Sequence, residues 1–121
     1  MRLERTILCV DDYPMLLKTL ALALEGLGFG VLQATNVGEA LRLCREHRPD
    51  AVLLEYSLCP GCPGAGDCVA EQVSVVSPKT KILVWSTDDR VIRRPPPCAA
   101  ATLIKPVDPV EVANRLRAAI G

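Results

Sequence analysis

Asp11 with Asp12, Glu55, Ser86 with Thr87, and Lys105 each stand at the end of a short apolar run: TILCV, AVLL, KILVW and ATLI. Carboxylates, hydroxyls and a lysine gathered in one place suit phosphoryl handling with a divalent cation. Carboxylates hold the metal through hard oxygen donors, a hydroxyl and a lysine bind phosphoryl oxygens, and one carboxylate can accept the group. Each residue alone also has a plainer reading, because an aspartate after a strand often caps a helix and a lysine is usually solvated. The chemistry therefore depends on whether the chain brings these run ends to one edge.

The elements that would position them follow from pattern and punctuation. Thr6 to Val10 is short, rich in β-formers and apolar throughout, which predicts a buried strand. Pro14 suits the first turn of a helix, and Leu16, Leu17, Leu20, Leu24 and Leu27 recur at helical spacing until Gly28 and Gly30. Phe29 to Ala34 predicts a second strand. Asn36 followed by Glu39 resembles a capping box for a helix through Glu46, burying Val37, Ala40, Leu41 and Cys44. His47, Arg48 and Pro49 end it, and Ala51 to Leu54 forms a third strand running into Glu55. Beyond a Gly/Pro/Cys loop, Asp67 to Val76 predicts a short helix and Lys81 to Trp85 a fourth strand. Pro95, Pro96 and Pro97 limit the next helix to about two turns. Ala101 to Ile104 is a fifth strand, and Asp108, Pro109 and Glu111 open a last helix with Val112, Leu116 and Ile120 inward.

Five strands alternating with helices, and apolar on both faces, imply a parallel α/β sheet covered on each side. Such sheets bind ligands beyond the carboxyl ends of their strands. That is where the acidic pair, Glu55, the hydroxyls and Lys105 would meet.

The pieces ILCVDD, DAVLLEYSL, KILVWST and LIKP, in this β-α order, resemble a bacterial two-component response-regulator receiver domain over essentially the whole chain. The resemblance implies a flavodoxin-like (CheY-like) doubly wound sheet of five parallel strands in the order 2-1-3-4-5, here with a shortened or irregular helix before the fifth strand. It implies that Asp11 and Asp12 bind Mg²⁺ together with the residue at 55. Ser86, with Thr87 beside it, would sense a phosphoryl oxygen, and Lys105 would pair with the phosphoryl group or with Glu55. The family has its phosphorylatable aspartate where this chain has Glu55. The added methylene pushes the carboxylate about an ångström farther into the pocket, and misplacement on that scale can cost roughly a hundredfold in rate. Phosphotransfer to Glu55 is expected to be poor or absent. The longer carboxylate can also reach toward Lys105 and Ser86, copying part of the charge of a phosphoaspartate. Three carboxylates offset by one lysine still leave a negative excess that favours a divalent cation. Thr102 stands where the family commonly has an aromatic switch residue, so the output surface around the fifth strand is expected to be altered.

The resulting expectation is a nonenzymatic pseudo-receiver that acts by protein-protein interaction. Its partners would be a sensor histidine kinase, another receiver, an output protein or a second copy of itself. The sequence closes at Gly121 after the last helix, which gives the expectation of one domain over 1–121 with no output domain following. A hydrolase using the same edge is disfavoured, because the one histidine, His47, falls at the opposite edge.

CPGCPGAGDC (Cys59 to Cys68) offers a competing site. Cys59, Cys62 and Cys68 supply three thiols where a structural zinc wants four ligands, so His47 or a second chain would have to complete the set. A redox pair of Cys59 and Cys62 lacks the helix start that normally follows the first cysteine. A CxxC alone does not specify a metal, and the plain alternative is an irregular loop. Cys9, Cys44 and Cys98 sit among apolar neighbours and are expected in the core.

The 14 basic and 14 acidic residues cancel, which argues against a nucleic-acid module and its basic face. No apolar run approaches the ~18 residues that span a bilayer, and MRLERT lacks the form of a signal peptide. A cytoplasmic setting with free thiols and no membrane is expected.

Overall fold

The computed structural model describes residues 4–56, 65–87, 95, 97–105 and 108–121, with 65–68 described by backbone alone. Five strands, β1 (Thr6–Val10), β2 (Gly30–Ala34), β3 (Ala51–Glu55), β4 (Lys81–Ser86) and β5 (Ala99–Ile104), pair in parallel in the order β2-β1-β3-β4-β5. The helices among the described residues are α1 (Pro14–Gly26), α2 (Val37–His47), α3 (Ala65–Val76) and α4 (Pro109–Ile120). This is the flavodoxin-like fold.

Strand alternation divides the core into two layers. Ile7, Cys9, Leu53, Leu83 and Trp85 pack on Leu17, Leu20 and Leu24 of α1 and Val112 and Leu116 of α4. Leu8, Val10, Val52, Leu54 and Val84 pack on Ala40 and Cys44 of α2 and on Val69, Ala70 and Val73 of α3. Every residue of β3 is buried, which explains its unbroken apolar run.

The caps follow the sequence punctuation. Pro14 opens α1, and the Tyr13 amide donates to Asp11 Oδ1 at 3.0 Å. The end of α1 is a Schellman closure: Phe29 N donates to Leu24 O, Gly28 N donates to Glu25 O, and Gly28 takes φ +100°. Asn36 caps α2 by accepting from Glu39 N at 2.8 Å, and Asp108 caps α4 by accepting from Val110 N at 2.7 Å. Arg48 ends α2 in the left-handed region, immediately before Pro49.

Two boundaries differ from expectation by two residues, and β2, α2 and β4 each differ by one at one end. The helix expected from Asp67 begins at Ala65, so Asp67 falls inside its first turn. The fifth strand begins at Ala99 rather than Ala101, and its ladder steps from Ile82↔Ala99 to Leu83↔Ala101, leaving Ala100 as an extra residue. Alanine is a poor strand former, so the pairing with β4 supplies what local propensity does not. The expected short helix ahead of the triple proline lies outside the described residues.

Candidate functional site

Parallel pairing sets the heights of the strand ends. Asp11 N donates to Ala34 O at 3.1 Å, Tyr56 N to Trp85 O at 3.1 Å, and Lys105 N to Ser86 O at 2.8 Å, so each strand is tied to its neighbour at its carboxyl end. Asp11, Glu55 and Lys105 thereby arrive on one edge. Alternation from Cys9, Leu53 and Leu103 places them on the face that carries α1 and α4.

Lys105 is the hub. Its Nζ donates to Asp11 Oδ2 at 2.5 Å and to Glu55 Oε1 at 3.0 Å. The three side chains are nearly enclosed, with 2% of Asp11, 12% of Glu55 and 13% of Lys105 exposed, so these ion pairs are shielded from screening by solvent. The ammonium also lies 4.3 Å from the centroid of the Trp85 ring, a cation–π contact. Trp85 is directly opposite Glu55 in the β3–β4 register. Among the described residues, Glu55 Oε2 and Trp85 Nε1 are buried without a hydrogen-bond partner. Asp11 uses both oxygens, one on Lys105 and one on the Tyr13 amide, so it is both a helix-entry acceptor and a site residue.

The other candidates are placed as follows. Ser86 is buried at the end of β4, and alternation puts it on the Ile82 and Val84 side of the strand. Thr87 and Asp12 are exposed next to the site. Thr102 lies within β5 opposite Val84, its carbonyl accepting from Arg115 Nη2 at 3.3 Å. His47 ends α2 at the far edge of the sheet, exposed beside Glu46. Cys59 and Cys62 lie outside the described residues, and Cys68 is described only as a backbone position in α3. Cys9 and Cys44 are buried as expected, whereas Cys98 is only partly buried. Burial, and then the charge of Asp11, push the Cys9 thiol up to about 12, and burial pushes Cys44 up to about 11; both are neutral thiols at ordinary pH.

Mg²⁺ needs near-octahedral oxygen ligands at about 2.0–2.1 Å. Asp11, Asp12 and Glu55 have the right donor chemistry. Among the described residues, however, no three His, Cys, Asp or Glu side chains are grouped to hold a metal, and Lys105 Nζ stands between Asp11 and Glu55. The residues as placed do not fit the ion.

Trp85 was not legible as a site residue. An aromatic ring in KILVW satisfies the pattern of a buried strand, and only the register with Glu55 reveals its place under Lys105. That register is the signal a pairing argument could use, because Leu53, Glu55, Leu83 and Trp85 share one face.

The family model described as "Response regulator receiver domain" matches residues 7–117. The phosphate regulon transcriptional regulatory protein PhoB of Pseudomonas aeruginosa is 30% identical over 119 residues, covering 96% of this chain and 52% of that protein. The DNA-binding response regulator MtrA of Mycolicibacterium smegmatis is 32% identical over 116 residues, covering 96% of this chain and 50% of its own length. The chain thus spans about half the length of these curated relatives. Among solved structures, a CheY-like receiver domain protein from Methanospirillum hungatei JF-1 superposes with a TM-score of 0.84 at 22% identity, over 97% of this chain and 94% of that one. A response regulator from Thermotoga maritima gives 0.84 at 24% identity, over 98% of both chains. At that identity the likeness shows the fold, and the family match rests on the sequence. A sheet in the order 2-1-3-4-5, an acidic residue and a lysine meeting at its carboxyl edge, and a family match across nearly the whole chain lead to one assignment: the chain belongs to the response-regulator receiver domains of two-component signalling.

Proposed function

We propose that this receiver domain is a pseudo-receiver, working as a nonenzymatic protein-interaction module whose pocket takes no phosphoryl group at position 55. The observation that carries this reading is the Lys105 bridge. Glu55 Oε1 already accepts from the lysine at 3.0 Å, and the same ammonium is held by Asp11. An acceptor carboxylate needs a free oxygen aimed at the incoming phosphorus and a cation to neutralise the phosphoryl oxygens. Here the longer side chain gives Oε1 to the lysine, its other oxygen, Oε2, is buried away from an incoming group, and the charge of Lys105 is spent on two carboxylates. The bridge resembles in charge and position a receiver already carrying its anion, which supports one standing conformation read by a protein partner.

The partner classes consistent with the family are a sensor histidine kinase, a second receiver, an output protein or another copy of this chain. The net charge of zero supports a protein partner over nucleic acid. PhoB and MtrA are named as transcriptional or DNA-binding regulators, and this chain spans about half the length of each, so DNA contact by any segment joined to this domain is a separate matter. A cytoplasmic setting is part of the proposal; among the described residues no helix is long and apolar enough to cross a membrane.

The test is incubation with acetyl phosphate and Mg²⁺ followed by intact mass, for the native chain and for Glu55→Asp. The native mass stays unchanged and the aspartate variant gains one phosphoryl group. Stable phosphorylation of the native chain sinks the reading.

A further inference from the structure

We infer that Lys105 is the pocket's resident cation: its ammonium occupies the place a divalent metal would need between Asp11 and Glu55, and thereby closes the native site to Mg²⁺. The inference rests on the pseudo-receiver reading and extends it from the phosphoryl group to the metal.

Three observations converge on it. The first is position. Nζ lies 2.5 Å from Asp11 Oδ2 and 3.0 Å from Glu55 Oε1, so an ion taking both oxygens at about 2.0–2.1 Å would have to share them with an ammonium already in contact with each. The second is the hold on Lys105. Its backbone is pinned by the bond from Lys105 N to Ser86 O at 2.8 Å, and its head group rests on the Trp85 ring at 4.3 Å. Release into solvent would cost the ammonium two carboxylates and an aromatic face at once. The third is the unused capacity beneath it. Glu55 is buried, and its Oε2 has no hydrogen-bond partner among the described residues, so the carboxylate keeps lone pairs that a monovalent head group does not satisfy.

A buried anionic pair with a spare oxygen is a latent hard-cation site, and charge arithmetic decides its occupant. At the bridge Asp11 and Glu55 supply two negative charges and Lys105 returns one, while the third carboxylate, Asp12, is exposed and screened by solvent. A dication entering beside the ammonium would meet like charge at contact distance. At an effective dielectric of about 20, that repulsion exceeds what one decade of affinity requires. Removing the ammonium, or shortening the acceptor that draws it in, should therefore open the site.

The probe is Mn²⁺ alone, followed by loss of the free-ion electron paramagnetic resonance signal, with folding checked by circular dichroism. Lys105→Met keeps the apolar stem and removes the charge; Glu55→Asp breaks the 3.0 Å contact while keeping both carboxylates. The expected result is at least about tenfold tighter Mn²⁺ binding for Lys105→Met than for the native chain, with a smaller gain in the same direction for Glu55→Asp. Native binding as tight as that of the variants overturns the inference, as does a folded Lys105→Met with no gain. Should Lys105→Met fail to fold, Glu55→Asp decides alone. A native chain that binds Mn²⁺ yet takes no phosphoryl group from acetyl phosphate overturns this inference and leaves the pseudo-receiver reading standing; phosphorylation of the native chain removes the reading itself.

Discussion

At the scale of single residues, the extra methylene of Glu55 changes which partner the carboxylate meets. An aspartate on the same backbone would end about an ångström short of the oxygen that Lys105 now contacts at 3.0 Å. The bridge is buried, so its members are coupled through desolvation as well as charge, and removing either one leaves a buried charge less well compensated. A double-mutant cycle with Glu55→Gln and Lys105→Met should give a coupling of about 1–3 kcal/mol in the native direction. Denaturant unfolding of the four proteins measures it, and a coupling near zero would mean the contact is incidental to stability. Glu55 and Lys105 were both legible in the sequence, each marked by a charge ending an apolar run. The pairing of Lys105 with Glu55 was expected, but its second bond, to Asp11, could not be read, because the reach of a flexible side chain depends on tertiary heights. Trp85 escaped for the opposite reason: its apolar ring already fitted the strand, and cation–π contact leaves no trace in hydropathy.

At the scale of elements, punctuation carried the prediction well. Asn36 and Asp108 are caps with measurable bonds, and Gly28 supplies the positive φ that closes α1. α4 begins four residues after the site lysine. Asp108→Ala should cost about 1 kcal/mol of stability by losing the bond from Val110 N, read as a lower urea midpoint with an unchanged slope. A loss no larger than a few tenths would show that the cap is redundant with Pro109. The elements that resisted sequence reading have physical reasons. Ala99 and Ala100 look helical or loop-like locally, and only a partner strand makes them β. The order of the sheet, with β1 between β2 and β3, is not contained in any periodicity. It came from likeness to a family, and the ladders show it directly.

At the scale of the whole molecule, a receiver that switches must have two arrangements of comparable free energy, and a ligand moves it only by preferring one of them. The bridge from Lys105 to Asp11 and Glu55 ties β1, β3 and β5 at the edge where such a ligand would act. On the proposed reading, a lysine that holds both carboxylates leaves acetyl phosphate and Mg²⁺ no differential contact to offer. The native protein should keep one conformation regardless of them. The most direct measurement is the two-dimensional ¹H–¹⁵N correlation spectrum of the native chain, with and without acetyl phosphate and Mg²⁺, beside the Glu55→Asp variant. The account predicts superimposable native spectra and shifted amides at residue 55, Ser86 and Lys105 in the variant; native amides that move at those positions would contradict it.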